Sequence, residues 1–188
     1  MSLALDELLH LPGLHEMQVR AGARNLQRRV RWPYVAENEG IAEWVMGGEL
    51  VFVTGINHPR GEANLLSLVE DGDAVGIAGM VILTGGSFIQ SIPAPVVARA
   101  EQLGLPLIEQ PYALKMVVVT QAIGTALVQA QQLGRSRQHV LETLITRTLV
   151  LGPIYLLGFS KEVIDAYIIV VGFQAVFNHA NVSVRLGP

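Results

Sequence analysis

The sequence predicts an α/β fold, a largely parallel sheet with helices on both faces, followed by an apolar helical C-terminal segment. Three observations carry that reading. Two apolar runs, Gly48-Glu49-Leu50-Val51-Phe52-Val53-Thr54-Gly55 and Ala78-Gly79-Met80-Val81-Ile82-Leu83-Thr84-Gly85-Gly86, each close on Thr-Gly. Apolar runs without polar alternation suit strands that helices cover on both sides. From about residue 47 onward strand and helix patterns alternate, which makes right-handed βαβ units the economical arrangement. After residue 133 the character changes: Thr148 to Ser160 and Ala166 to Val184 carry no charge.

The elements follow in order. Leu3 to Leu11 has helical apolar spacing and stops at the turn pair Pro12-Gly13. Met17 to Ala21 and Val30 to Ala36 read as strands around a turn at Gly22 to Asn25, and the polar corner Glu37-Asn38-Glu39-Gly40 follows. Ile41 to Met46 reads as a brief helix ending at Gly47-Gly48, before the first Thr-Gly strand at Leu50 to Thr54. Glu62 to Asp71 is helical by period, and Gly79 to Leu83 is the second Thr-Gly strand. Pro93 and Pro95 are tolerated at a helix start, so Val96 to Leu103 forms a helix body before a Gly104 stop. Leu105 to Ile108 is a short strand, with Pro106 favouring its beginning or an edge. Leu114 to Gln132 is a long helix stopped at Gly134.

Composition bounds the function. The chain has 188 residues, 51% hydrophobic and 15% charged, with a mean hydropathy of +0.41. That length allows one domain of ordinary size, about 100–150 residues, with an appendage. A net charge of −3 gives no global sign of a polyanion-binding protein. Arg20, Arg24, Arg28, Arg29 and Arg31 cluster near the start, but they straddle a strand-turn-strand pattern and lack a recognition helix. They read as a solvated face, so no direct nucleic-acid binding is expected. The absence of cysteine excludes disulfides and cysteine-based metal or redox sites and fits a reducing cytoplasm. The early acids Asp6 and Glu7 are unlike a signal peptide.

The candidate binding residues lie where the two Thr-Gly corners would sit side by side, since open parallel sheets take ligands beyond the carboxyl ends of their strands. Thr54, Gly55, Thr84, Gly85 and Gly86 supply hydroxyl and N–H groups, and Asn57, Arg60 and Glu109 would line the rim. A small polar or anionic molecule fits that chemistry. The same residues also read as turn glycines, helix-capping threonines and a solvated loop. Neither GxxxxGK[ST] nor GxGxxG occurs, so nucleotide binding has little support. No catalytic residue is expected: GxSxG is absent, and no histidine stands near a Ser-Asp pairing. No cofactor is expected either.

A family resemblance rests on the succession Leu11-Pro12-Gly13-Leu14, Val19-Arg20-Ala21-Gly22, Arg29-Val30-Arg31-Trp32, Glu43-Trp44-Val45-Met46-Gly47-Gly48-Glu49-Leu50, Ile92-Pro93 and Leu103-Gly104-Leu105-Pro106-Leu107. Over about residues 3–131 it resembles the N-terminal domain of the purine-catabolism regulator (PucR) family. The resemblance implies a bacterial transcription regulator in which this domain senses a metabolite, with purine breakdown products as suitable ligands. DNA binding would then belong to a separate C-terminal helix-turn-helix domain. Pro33, Tyr34 and Phe88-Ile89-Gln90 depart from the family pattern.

Residues 134–188 resemble a different family. Ser136-Arg137-Gln138-His139, Glu142, Thr146-Arg147-Thr148, Gly158-Phe159, Phe173 to Val182 and Leu186-Gly187-Pro188 are similar to a piece of the fatty acid hydroxylase and sterol desaturase family. That resemblance implies a membrane enzyme with a di-iron centre built from histidine clusters. The five histidines here (10, 15, 58, 139 and 179) include no pair at i, i+3 or i, i+4, so no metal site is expected. Each apolar core is shorter than the roughly 20 residues that span a bilayer. Residues 148–184 could associate with a membrane, lie at its interface or pack as helices.

The reading is therefore a non-enzymatic, cytoplasmic sensor domain at 1–133 joined to an apolar helical segment at 134–188. Two other classes stand beside it: a truncated, inactive membrane hydroxylase fused to a soluble domain, and an oligomerisation module whose exposed apolar tail makes a homo-oligomer. The junction near residue 133 fits a natural fusion and an artefact of sequence assembly equally well.

Overall fold

A computed structural model of the chain describes residues 2–56, 58–132 and 158–179, together with 145, 149 and 156. It divides into two compact units, Met1–Gly134 and Arg135–Pro188. The first runs β1 (Leu3–Ala4), α1 (Leu5–Leu9), β2 (Gln18–Ala21), a 3-10 turn (Ala23–Asn25), β3 (Arg29–Val30), β4 (Trp32–Val35), β5 (Glu49–Val53), α2 (Glu62–Val75), β6 (Gly79–Thr84), α3 (Ala94–Leu103) and β7 (Leu107–Pro111). Helix α4 follows over 116–132.

Five strands form one sheet in the order β2-β7-β6-β5-β4, and β1 pairs with β3 in a separate ribbon. β4, β5, β6 and β7 are parallel, while β2 is antiparallel to β7. The two Thr-Gly strands are direct neighbours near the middle, and every residue of β6 is buried. That is why they read as unbroken apolar runs.

Successive side chains alternate between the two faces. Val51 and Val53 of β5, with Met80 and Ile82 of β6, pack against Leu65 and Leu68 of α2 and Val96 and Ala100 of α3. Leu50, Phe52, Val81 and Leu83 enter the opposite core with Leu5 and Leu8 of α1 and Val119, Ile123 and Leu127 of α4. Each fully buried aliphatic or Phe side chain contributes about 1.5–3 kcal/mol relative to exposure. Helices thus cover both faces, as the sequence predicts.

Several boundaries differ from expectation. The first helix begins at Leu5, because Leu3 and Ala4 pair with Val30 and Arg29. Glu7 then reaches back to accept the Ala4 N–H at 3.0 Å. The predicted strand Val30 to Ala36 is two strands broken at Arg31. Only a turn forms at residues 42–44 instead of a helix over Ile41 to Met46. There the Glu49 carboxylate accepts the N–H groups of Met46 and Gly47 at 3.2 and 2.8 Å, an alternative to helical bonding. Helix α2 runs to Val75, past the expected end at Asp71, so Asp73 also lies inside its last turns. β7 extends to Pro111, past the expected stop at Ile108.

In the second unit, Lys161–His179 forms helix α5. Lys161 and Asp165 stand 4.0 Å apart on its first turn. No described helix is long and apolar enough to cross a membrane. Most of the remaining segment expected to be apolar and helical, at 133–144, 146–148, 150–155, 157 and 180–188, lies outside the described residues.

Candidate functional site

The parallel strands bring the ends of β5, β6 and β7 to one edge of the sheet, where the site residues gather. Ile82 stands opposite Glu109 and Thr84 opposite Pro111, so Thr84 and Glu109 share the face covered by α2 and α3. The buried Thr84 hydroxyl donates to Oε1 of Glu109 at 2.5 Å. Nε of Arg20 lies 3.5 Å from Oε2 of the same carboxylate. Arg20 is the residue between Val19 and Ala21 at which the register of β2 against β7 shifts. The Glu109 side chain keeps 23% of its surface exposed. An ionised carboxylate has about four acceptor positions. Thr84 takes one, and Arg20 sits beyond good hydrogen-bond length as an ion-pair partner. Glu109 thus retains acceptor capacity toward solvent.

The two corners touch. Gly55 adopts φ +75°, and a Cβ there would lie 3.0 Å from Cβ of Phe88 and 3.1 Å from Cγ1 of Ile89. The loop after β6 therefore packs onto the corner after β5, at a position only glycine fills without strain. That loop is closed by its own bonds. Gly85 N–H donates to Ile89 O at 3.0 Å, the Gln90 amide donates to Gly86 O at 2.5 Å, and Tyr112 N–H donates to Thr84 O at 2.8 Å. The Tyr112 ring lies directly against Gly86. Within the first corner the Ile56 N–H donates to Oγ1 of Thr54 at 3.3 Å. Asn57 lies outside the described residues.

Arg60 turns elsewhere. It is 8% exposed, and its guanidinium donates to the carbonyls of Ala36, Asn38 and Glu39 at 3.0, 2.7 and 3.0 Å and to Oδ1 of Asn64 at 2.8 Å. Burial lowers its pKa from the usual arginine value, and the charge of Glu39 opposes that shift. Its role in the structure is to hold the 36–39 corner after β4. The planar fork of arginine suits several carbonyls at once.

The structure thus joins Thr84 to Glu109 and Gly55 to the loop following Gly85-Gly86, while Arg60 serves the neighbouring corner. Arg20, Phe88 and Tyr112 are the residues that sequence reasoning did not place at this edge. Among the basic cluster, Arg24 pairs with Glu101 at 3.4 Å, Arg28 with Asp73 at 3.4 Å, and Arg29 donates to Ser2 O at 3.0 Å. Among the described residues no three His, Cys, Asp or Glu side chains converge as a metal site would require.

No curated protein matches the chain. Among solved structures, one similar chain contains the CBS and DRTGG domains of the regulatory region of Clostridium perfringens pyrophosphatase, complexed with its activator diadenosine tetraphosphate. It is 14% identical, with a TM-score of 0.45 over 64% of this chain. The match takes in 45% of that chain, so the present chain spans less than half its length. The sequence pattern of the Purine catabolism regulatory protein-like family matches residues 7–127, and the chain belongs to that family.

Proposed function

We propose that residues 1–133 act as a non-catalytic, metabolite-sensing domain of a cytoplasmic transcription regulator of purine or nitrogen catabolism, with DNA binding carried by a separate domain. The observation that carries this reading is membership of the regulatory family over residues 7–127. The ligand would sit at the carboxyl edge of the sheet, across Thr54-Gly55 and Thr84-Gly85-Gly86, with Glu109 and Asn57 around it, while Arg60, expected at the rim, holds the neighbouring 36–39 corner. Glu109 offers an acceptor, and the corner glycines offer backbone donors. Residues 134–188 are a distinct segment in this proposal, without an iron site and without a part in sensing.

Calorimetric titration of the full chain with purine catabolites and with amino-acid-derived metabolites tests the reading. A saturable ligand is expected, bound roughly 5- to 150-fold more weakly by Thr54→Val or Thr84→Val, the equivalent of one buried hydrogen bond worth about 1–3 kcal/mol. A ligand held unchanged by both variants would put the site elsewhere in the domain.

A further inference from the structure

Tyr112 directly follows β7 and is fixed at the same edge of the sheet as Glu109. Its N–H donates to the carbonyl of Thr84 at 2.8 Å, and the Thr84 hydroxyl bonds the Glu109 carboxylate, so one residue anchors both. The ring rests on Gly86, where a Cβ would lie 2.7 Å from its Cδ2 and 2.8 Å from its Cγ. Only glycine leaves the ring that place. Behind it the turn from Pro111 to Leu114 is closed by two bonds: Leu114 N–H donates to Pro111 O at 2.9 Å, and the Gln110 side-chain amide donates to Leu114 O at 2.9 Å. Gln110 is completely buried, so water does not compete for its bond. The ring held in this way is nevertheless 49% exposed, and Phe88, in the loop that packs on Gly55, is 47% exposed.

We infer that Tyr112 contacts the ligand as a stacking platform and makes the site selective for a planar heterocycle, the intact purine ring rather than its ring-opened breakdown products. Gln110 is its positioning residue. The inference rests on the sensing reading above and adds the shape of the ligand to it. Small-molecule sites combine aromatic and apolar walls with a few placed polar groups. Here the polar group is Glu109, whose remaining acceptor capacity suits a ring N–H. An aromatic ring binds best a flat partner laid over its face in an offset stack. A product with a tetrahedral ring carbon and a free ureido arm cannot cover that face. A ring fixed by its own backbone bond and by a glycine beneath it gives up little freedom when a ligand settles on it.

Equilibrium dialysis of the full chain against xanthine, a planar purine, and against allantoin, a ring-opened product, tests this. Xanthine should bind at least about tenfold more tightly than allantoin, the equivalent of one stacking contact. Tyr112→Ala should weaken xanthine roughly 5- to 150-fold, whereas Tyr112→Phe keeps the platform and should stay within about twofold of wild type. Tyr112 is half exposed, so both variants should keep the wild-type melting temperature. Gln110→Met should weaken xanthine as well, but not further when combined with Tyr112→Ala, because it acts through the ring. Xanthine bound equally by wild type and Tyr112→Ala, or not bound at all, would overturn the inference. Allantoin or an amino-acid-derived metabolite bound more tightly than xanthine, weakened by Thr84→Val and untouched by Tyr112→Ala, would overturn it while leaving the sensing reading in place. Equal losses from Gln110→Met with and without the Tyr112 ring would remove Gln110 from its positioning role.

Discussion

The Thr84 hydroxyl and the Glu109 carboxylate are bonded at 2.5 Å, tying the end of β6 to the end of the adjacent parallel strand β7. Thr84→Val keeps the side-chain shape and removes the donor, so it should destabilise the first unit by about 1–2 kcal/mol. Glu109→Gln keeps an acceptor for Thr84 and loses only the partly exposed pairing with Arg20, which should cost less than about 1 kcal/mol. Urea denaturation of the two variants gives the order. The reverse order would mean that the ion pair, not the hydrogen bond, holds the strand ends.

Gly22→Ala should be the most damaging single methyl addition near β2. Gly22 has φ +68°, and a Cβ there would collide with the backbone oxygen of Leu105 and lie 2.6 Å from the nitrogen of Pro106. Left-handed strain and overpacking against backbone together cost about 3 kcal/mol or more. Thermal unfolding should show a large drop in midpoint or no folded protein, and a near wild-type midpoint would contradict the close approach.

Arg60→Lys separates a structural role from a ligand-contacting one. An ammonium cannot serve the carbonyls of Ala36, Asn38 and Glu39 together, so stability should fall by about 2–3 kcal/mol. Below the melting transition, ligand affinity should change far less than in Thr84→Val. Unchanged stability with lost affinity would assign Arg60 to the ligand instead.

A fragment of residues 1–133 should unfold in one cooperative transition, because α4 supplies Val119, Ile123 and Leu127 to the core beneath it. Coincident melting by circular dichroism and fluorescence checks this. Non-coincident curves would place the domain boundary elsewhere.

What the sequence made legible follows from burial. β5 and β6 lie inside the sheet with helices on both sides, so their residues had to be apolar throughout, and the Thr-Gly closures marked their ends. α2, α3 and α4 showed through their periodicity. The antiparallel β2 and its bulge did not show, because nothing in Val19-Arg20-Ala21 encodes direction or register. Arg60 reads as a rim cation in sequence, yet its partners are backbone carbonyls 21 to 24 residues upstream, which no residue type announces. The Glu49 carboxylate drew the amides of Met46 and Gly47 away from the expected helix, another side-chain-to-backbone contact without a compositional signal.

Hydrogen–deuterium exchange of the full chain, with and without a saturating compound from the calorimetric screen, locates the ligand on the domain. Added protection should concentrate in the peptides covering the corner after β5, the loop from Gly85 to Gln90 and the end of β7 near Glu109. Protection confined to α4 or to the charged α2–α3 face, with those corners exchanging as before, would contradict that placement.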